Sequence, residues 1–220
     1  MYITRIAINR RRREAGKLLG SRQAMHAAVE SLFPPSLETT GPKRNLWRLD
    51  AQGNSAWLYV VSEERPDATS IVENAGWPDA DQKTWESADY VRVLTKVSDG
   101  SRFRFKIAVN PIRNLPPEPA GGRGKKVPIK GERAQLEWFT KTLEKAGAAI
   151  VTNELGGTSA KIVESGEDTF NRKGASITLT KATITGVLEV TDTETFRKAL
   201  TTGIGTGKAY GLGLLTIAAA

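Results

Sequence analysis

The chain has 220 residues, of which 39% are hydrophobic, with no cysteine and a net charge of +8. That length suits one large domain or two small ones, and the absence of cysteine excludes disulfides and thiolate chemistry. No apolar run is long enough to span a membrane, and the arginine-rich N-terminus lacks a signal-peptide core, so we expect a cytoplasmic protein.

The charged side chains are clustered along the chain. Residues 1–22 hold seven basic residues and one acidic residue, and residues 101–135 hold nine basic and two acidic residues. Residues 62–89 instead hold two basic and eight acidic residues. Clustered Lys and Arg bind polyanions because they release the counterions of phosphate groups. The pattern predicts a surface for a polyanion, with an ordinary solvated basic face as the alternative.

The first residues predict a strand, a loop and a helix. Alternating β-branched residues indicate a strand over 2–9, and Arg10–Arg13 indicate a mobile basic loop. A helix is expected to begin with Ser21 as N-cap and to end before Pro34. Its apolar stripe consists of Met25, Val29, Leu32 and Phe33.

Two strands are expected next, over 46–49 and 56–61. A short helix over 66–75 and a strand over 90–94 follow. The order β-α-β-β-α-β is that of a ferredoxin-like unit, which we place at residues 1–97.

Residues 98–220 predict a second unit of the same kind. The expected elements are a strand over 102–109, a flexible basic loop over 114–131, a helix over 132–146, strands over 148–153 and 176–190 separated by a polar insertion at 164–174, and a closing helix and strand. The fold class is therefore α+β, with two tandem ferredoxin-like (RRM-like) βαββαβ domains. Each sheet is expected to have helices on one face and to leave the other face available.

The strand over 102–109 has one apolar and one basic face. Because strand side chains alternate in direction, Phe103 and Phe105 share a face and the basic residues lie on the other. Together with the basic loop, this face is expected to bind the polyanion. The set consists of Arg102, Arg104, Lys106, Arg123, Lys125 and Lys126.

The C-terminal stretch contains five glycines within eleven residues, with Lys208 among them. Thr191 and Glu194 predict a capping box at the start of the preceding helix, and Gly203 suits the position just past its end. A Walker loop is excluded, because no Ser or Thr follows the lysine. A helix cap and a tight turn would use about two of the glycines, so we expect a ligand-facing loop. Its binding set is Gly203, Gly205, Gly207, Lys208 and Gly211.

His26 is the only histidine of the chain. It follows Met25 at the border of the apolar stripe, and Arg22, Gln23 and Glu30 share its helix face. A half-sheltered imidazole there suits proton transfer, because imidazoles titrate near neutrality. An incidental surface or packing histidine is the alternative. Without cysteine a zinc-finger site is excluded, and we expect no metal and no cofactor.

Four stretches carry a resemblance to a known family. They are the N-terminal strand, the Met25-His26 pair, the stretch from Arg102-Phe103-Arg104-Phe105 to Asn110-Pro111, and the glycine-rich end from Gly203 to Leu215. In this order, over nearly the whole chain, they resemble CasE (Cse-type), the CRISPR repeat-processing endoribonucleases of type I-E systems within the RAMP superfamily. The glycine-rich end is common to the superfamily, and its combination with the basic strand is more specific.

The resemblance implies two ferredoxin-like domains that bind the repeat hairpin of CRISPR precursor RNA and cut it once, at its 3′ base, without a metal. The nucleotide's own 2′-hydroxyl attacks the phosphate and leaves a 2′,3′-cyclic phosphate and a 5′-hydroxyl. The product is expected to stay bound. The protein, a monomer when free, then joins the other subunits of the Cascade surveillance complex.

The histidine of the family corresponds to His26. A tyrosine that some members carry three residues earlier is Gln23 here, and basic residues that some place one and five positions later are Ala27 and Ser31. The residues considered for support of the transition state are Lys17, Arg22, Gln23 and Lys208. Two alternatives stay open: a RAMP protein that holds RNA without cutting it, and a structural ribonucleoprotein subunit that recognises RNA only within an assembly.

Overall fold

The structure, a computed structural model, describes residues 1–35, 45–53, 55–79, 81, 83–116, 124–152, 156–172 and 175–220. In chain order, its elements are β1 (Tyr2–Asn9), α1 (Arg13–Gly20), α2 (Arg22–Glu30), β2 (Leu46–Gln52), β3 (Ser55–Ser62), α3 (Thr69–Ala75), β4 (Trp85–Asp89), α4 (Val91–Leu94), β5 (Arg102–Val109), β6 (Ile112–Leu115), β7 (Lys125–Pro128), α5 (Glu132–Glu144), β8 (Ala148–Ile150), β9 (Lys161–Arg172), β10 (Ala175–Val190), α6 (Thr193–Thr202), a 3₁₀ turn (Lys208–Tyr210) and β11 (Leu215–Ala219). No helix in these ranges has the length and apolar character needed to cross a membrane.

Two antiparallel sheets form the framework. The first has the strand order β2-β3-β1-β4, and the second has the order β11-β5-β10-β8, with β9 also paired to β10. If β9 and the separate β6–β7 pair are set aside and the remaining four strands of each unit are numbered along the chain, both sheets have the order 2-3-1-4, which is that of a ferredoxin-like unit. The predicted fold class is therefore confirmed.

Helices cover one face of each sheet, because the strand residues on that face are apolar. In the first unit, Ile6 of β1 shares a buried core with Met25 and Val29 of α2. In the second, Phe105 of β5 packs against Phe139 of α5, with ring centroids 5.7 Å apart. Each such side chain stabilises the fold by about 1.5–3 kcal/mol when fully buried, so these faces fix where the helices lie.

The other face of the first sheet is partly covered, contrary to the expectation that it would stay available. Leu46 of β2 and Val61 of β3 are buried in the core of the second unit, together with Tyr90 and Val97. Removing these apolar side chains from water favours contact between the units. The two units therefore share an apolar interface.

The basic stretch after β1 forms a turn, as predicted, and its arginines hydrogen-bond to other parts of the first unit. Arg10 donates to the carbonyl of Gly53, and Arg12 donates to the carbonyls of Glu73 and, at 3.4 Å, Gly76 at the end of α3. A helix leaves its last carbonyls unpaired, and a guanidinium there satisfies them. The same stretch leads into α1, a helix that the sequence pattern did not indicate.

The strand predicted over 90–94 is wrong. The fourth strand of the first sheet is β4, which pairs with β1, and the residues that follow form the helical turn α4. Asp89 accounts for the difference, because its Oδ1 accepts a hydrogen bond from the Val91 N–H at 2.9 Å. Short carboxylates that bond to the backbone two residues on favour a turn over continued strand.

Two segments predicted as irregular are strands. Both ends of the predicted loop 114–131 pair with each other as β6 and β7, and its middle, 117–123, lies outside the described residues. The predicted polar insertion 164–174 largely belongs to β9, which pairs along β10. The side chains of β9 are mostly exposed, so its order comes from backbone pairing and its composition shows no apolar face.

The helix before the glycine-rich loop begins slightly later than predicted. Asp192, rather than Thr191, is the N-cap of α6, and its Oδ1 accepts from the Thr195 N–H at 3.0 Å. At the other end Gly203 follows the helix with a φ of 76°, which confirms its predicted position.

One buried arginine joins the two sheets. Arg48 of β2 is 2% exposed, and its guanidinium donates to the carbonyls of Lys106 at 2.7 Å and Leu214 at 3.0 Å. It also pairs with Asp50 at 2.9 Å and donates to the Thr216 hydroxyl at 2.9 Å. All three guanidinium nitrogens thus have acceptors, as a buried cation requires.

Asp50 neutralises this buried charge. Burial favours its neutral form, but the hydrogen bond and charge of Arg48, with those of Lys106 at 3.2 Å, hold the pKa of Asp50 below its ordinary value. A carboxyl whose pKa is lower in the folded than in the unfolded state stabilises the fold at pH values above its unfolded-state pKa. This stabilisation is lost as the pH falls through the folded-state pKa. The joint between the sheets therefore weakens in acid, below about pH 4.

Arg48→Ala is expected to lower the free energy of unfolding by about 3 kcal/mol, because it removes a hydrogen-bond donor from Asp50 and from the carbonyls of Lys106 and Leu214. Arg133→Ala is the control: this exposed arginine pairs with Glu137 on the same helix, so its loss should cost about 0.5 kcal/mol. Urea denaturation at pH 7 measures both variants. The difference in the free energy of unfolding between the two variants should narrow in acid, as Asp50 is protonated. Equal losses of unfolding free energy at pH 7 would contradict the role of Arg48.

Candidate functional site

His26 is positioned by α2. Ser21 caps this helix as predicted, its Oγ accepting from the Ala24 N–H at 3.2 Å. Met25 and Val29 are buried, which leaves the neighbouring face of the helix at the surface. The His26 side chain is 36% exposed, so the imidazole is half-sheltered, as the sequence indicated.

A cavity of about 600 Å³ lies against His26. Its walls are α2, the residue before β2 and the glycine-rich loop between α6 and β11. The lining residues are His26, Glu30, Asn45, Gly205, Thr206, Gly207, Lys208, Ala209 and Tyr210. The structure thus brings together the two strongest signals of the sequence, which lie near opposite ends of the chain. An imidazole facing a glycine-rich backbone can place a proton-transfer group beside a bound phosphate.

Two polar residues lie next to the imidazole. Its Nδ1 is buried and has no hydrogen-bond partner among the described residues, and Oε1 of Glu30 lies 3.8 Å from it. The other oxygen of Glu30 accepts from the Asn45 amide nitrogen at 3.4 Å. The exposed part of the ring therefore lies away from Nδ1, and His26 lines the cavity.

Three of the five glycines are required for packing: a Cβ on Gly213 would lie 2.5 Å from the Ile204 carbonyl oxygen, and the other two lie against β2. All five have φ between 76° and 85°, a region that side chains rarely adopt. A Cβ on Gly211 would lie 2.3 Å from the Trp47 ring, and one on Gly203 would lie 2.9 Å from the Leu46 side chain. These glycines let the loop contact β2 closely, which is a structural reason for their presence.

Gly205 and Gly207 instead line the cavity. A Cβ on Gly205 would meet Trp138 at 3.7 Å, an ordinary contact, and one on Gly207 would meet Leu212 at 3.0 Å. The backbone at Gly205 is therefore open to a ligand. The contact of these two glycines with RNA stays a prediction.

The two cations nearest the cavity are engaged with protein groups. Arg22 donates to Asp168 of β9 at 2.6 Å and to the Tyr210 carbonyl at 2.6 Å. Lys208 lines the cavity and donates to the Thr202 carbonyl at 2.7 Å. Arg22 thus tethers the glycine-rich loop to α2 and β9, while Lys208 lines the cavity.

The other two residues considered for transition-state support lie away from the cavity. Lys17 is on α1 and pairs with Glu14 at 2.5 Å. Gln23 is exposed on α2. Among the described residues that line the cavity with His26, neither is present.

The basic residues of β5 lie on the sheet face opposite the core. Arg102 pairs with Glu189 at 2.7 Å, Arg104 donates to the Ala219 carbonyl at 2.9 Å, and Lys106 belongs to the joint around Arg48. None of the three is among the described residues that line the cavity. The basic strand and the cavity beside His26 are therefore separate surfaces.

The remaining basic residues of the predicted set belong to the segment between β6 and α5. Lys125 and Lys126 are exposed on β7. Arg123 lies outside the described residues. The pair on β7 is thus available at the surface.

Sequence reasoning missed two residues, one that lines the cavity and one that bonds to Arg22. Glu30, in contrast, was placed on the helix face of His26, because residues four positions apart on a helix are neighbours. Asn45 comes from the end of a connection and Asp168 from a strand that the composition concealed. No spacing along the chain points to either residue, because both reach the site through tertiary contacts.

Comparison with known proteins finds relatives along the whole chain. A model of the family described as CRISPR associated protein matches residues 1–219. The CRISPR-associated endoribonuclease Cse3 of Thermus thermophilus is 28% identical over 228 residues, which cover 99% of this chain and 100% of that protein. These matches confirm the resemblance carried by the basic strand and the glycine-rich end.

Solved structures show the same likeness. Thermus thermophilus Cse3 bound to an RNA representing a pre-cleavage complex has a TM-score of 0.79 at 27% identity, covering 99% of this chain and 98% of that chain. The CRISPR-associated protein Cas6e from Escherichia coli shares the fold, with a TM-score of 0.61 at 18% identity over the full length of both chains.

Gly211→Ala is expected to lower the free energy of unfolding by about 2–4 kcal/mol, because the new Cβ overlaps the Trp47 ring and is strained at positive φ. Gly205→Ala has the strain of a side chain at positive φ without an overlap with a neighbour, and it should lower the free energy of unfolding by about 1 kcal/mol. Chemical denaturation of the two variants measures the difference. Equal losses would show that packing on Trp47 does not set the cost at Gly211.

Proposed function

The chain belongs to the CRISPR associated protein family, and from that membership we propose that it is an endoribonuclease that binds the repeat hairpin of CRISPR precursor RNA and cuts it once at its 3′ base. The observation that carries the proposal is the only histidine of the chain facing a glycine-rich loop across the cavity. The endoribonuclease name of the Thermus thermophilus relative and the RNA in its solved complex support it.

The proposed reaction is a transesterification within the RNA. A ribose 2′-hydroxyl loses its proton, its oxygen attacks the adjacent phosphorus, and the bond from phosphorus to the 5′-oxygen of the next nucleotide breaks. The products carry a 2′,3′-cyclic phosphate and a 5′-hydroxyl. One proton is therefore removed at the 2′-oxygen and one is added at the 5′-oxygen, so the net reaction neither gains nor loses protons.

His26 is the proton-transfer residue in this scheme. Its side chain lines the cavity, where the scissile phosphate would lie. Gln23 carries an amide, which neither takes up nor releases a proton at neutral pH. His26 therefore transfers one proton and water exchanges the other. General acid–base catalysis of this kind contributes about 10²–10⁴-fold to the rate.

The glycine-rich loop binds the phosphate. Backbone N–H groups can approach an oxyanion where no Cβ intervenes, and Gly205 offers such an opening beside His26. Lys208 adds a positive charge on the same wall. Fixed donors and charges of this kind stabilise the negative charge that develops on the phosphate in the transition state.

The hairpin is bound by exposed basic residues of the second unit. Double-stranded RNA hides its base edges in a deep, narrow groove, so recognition depends on its backbone and shape. Arg104 on β5 and Lys125 and Lys126 on β7 are exposed, whereas Lys106 is engaged with Asp50. The β6–β7 pair is therefore the main contact with the RNA backbone.

We place the boundary between the two domains at residues 97 and 98. In support, the described strands of each sheet lie entirely on one side of it. We further propose that the cut RNA stays bound and that the protein acts in the cytoplasm as a subunit of the Cascade surveillance complex, with no metal or cofactor in the cleavage step.

An RNA-binding subunit that does not cut is the second candidate function. It is favoured by Gln23, which occupies the position where some members of the family carry a tyrosine. The two candidates differ in whether the wild-type protein cuts a labelled repeat hairpin in EDTA.

His26→Ala is expected to slow single-turnover cleavage of that hairpin in EDTA by about 10²–10⁴-fold, because the proton-transfer group is lost. Its hairpin affinity should stay near wild type, since the basic surface is intact. Gln23→Ala, on the same helix face, should change the rate far less. A wild-type rate for His26→Ala refutes the catalytic assignment, and an uncut hairpin with the wild-type protein favours the second candidate.

Replacing Lys125 and Lys126 together with Ala is expected to weaken hairpin binding and to reduce the slope of log affinity against log salt by about 0.7–0.9 per lost phosphate contact. The control replaces Arg65 and Lys83, which lie in the acidic part of the first unit, with Ala. It removes the same amount of positive charge. Filter binding at several salt concentrations measures both. If the two double variants lose affinity equally, net charge rather than the β6–β7 pair accounts for binding.

A further inference from the structure

We propose that Glu30 is a positioning residue: its carboxylate, held in turn by Asn45, orients the His26 imidazole so that Nε2 is the proton-transfer atom. The proposal rests on the proposed function of His26. It states which ring nitrogen carries the proton in the neutral imidazole, and this property can be measured without any cleavage.

The three side chains form a row along one wall of the cavity. Asn45 donates to one oxygen of Glu30 at 3.4 Å, and the other oxygen lies 3.8 Å from Nδ1 of His26. Buried polar atoms are nearly always hydrogen-bonded, yet Nδ1 is buried and has no partner among the described residues. A small rotation of Glu30 closes the gap, and hydrogen bonds at catalytic groups are commonly long before substrate binds.

No other described charged group offers Nδ1 an acceptor. Arg22, one turn earlier on α2, is a donor already bonded to Asp168, and Lys208, on the opposite wall, is also a donor. Tyr210 completes the titratable groups that line the cavity. Glu30 is the only carboxylate among the described lining residues, so it is the charged group there that can accept a hydrogen bond from the Nδ1–H.

The position of Glu30 on its helix supports a functional role. Glu30 is the last residue of α2, where the partial negative charge of the helix C-terminus disfavours a carboxylate. The described last turn holds no basic residue that would offset this. A residue that breaks a local rule of this kind is commonly found at a functional site, and orientation of His26 accounts for it.

The orientation has a defined chemical consequence. A neutral imidazole carries one proton, and the hydrogen bond at one nitrogen sets which nitrogen has it. With the Nδ1 proton directed at Glu30, the Nε2 lone pair faces the cavity and can accept the proton of the 2′-hydroxyl. The resulting imidazolium has a proton on each nitrogen, while Glu30 stays ionised and receives none.

Because His26 is the only histidine, the proton can be located directly. In protein labelled with ¹⁵N-histidine, the imidazole gives one pair of ring-nitrogen signals, and their shifts report which nitrogen is protonated. At alkaline pH we expect mainly the Nδ1–H form in the wild type and a shift towards Nε2–H in Glu30→Ala. Asn45→Ala should show a smaller shift. Glu73→Ala, an exposed carboxylate near the end of α3, is the control and should match the wild type.

Cleavage gives the second readout. Glu30→Ala should slow single-turnover cleavage about tenfold without weakening hairpin affinity, since removing an acid from an RNA-facing wall removes no attraction to phosphate. The cleavage rate of Glu30→Gln, which keeps an acceptor oxygen without the charge, should fall between those of the wild type and Glu30→Ala. A wild-type rate or a wild-type proton distribution in Glu30→Ala overturns the proposal. A wild-type rate in His26→Ala instead overturns the function of His26, and the ¹⁵N signals then still decide whether Glu30 orients the ring.

Discussion

The buried guanidinium of Arg48 determines how the two sheets meet and, through them, where the site forms. Arg48 bonds to backbone carbonyls of β5 and of the segment entering β11. Trp47, its neighbour, points to the opposite face of β2 and packs against Gly211. Successive residues of one strand thus hold the second sheet on one side and the glycine-rich loop on the other. Because hydrogen bonds are directional, this joint fixes the register between the units as well as their proximity.

The sequence predicted those parts of the fold whose signals are local and periodic. The strand β1 and the strand β5 were predicted at their observed limits, and α5 within two residues, because alternation and helical stripes show which face is buried. His26 and the glycine-rich loop were both identified as functional signals. Their meeting in one cavity could not be derived from the residues alone, since it depends on how β2 contacts both units.

The errors arose where order comes from pairing or from tertiary contacts. The strand β9 is largely exposed and charged, so its sequence resembles an insertion although it pairs along β10. Charge counting also overstated the basic surface. Arg12 bonds to the end of α3, Arg22 to Asp168 and Arg48 to the second sheet. Composition reports the number of cations, but only the structure separates those that serve the fold from those available to a nucleic acid.

The cavity is built from residues near both ends of the chain, which constrains when it can exist. His26 and Glu30 form one wall and residues 205–210 form the other. Contacts between such distant positions are formed late, because the long loop between them must close first. Proteins are synthesised from the N-terminus, and early domains begin to fold before later ones are made. A nascent chain can therefore carry a folded α2 with its histidine while it still lacks the opposite wall, so the proposed site is not assembled until the C-terminal residues have been made.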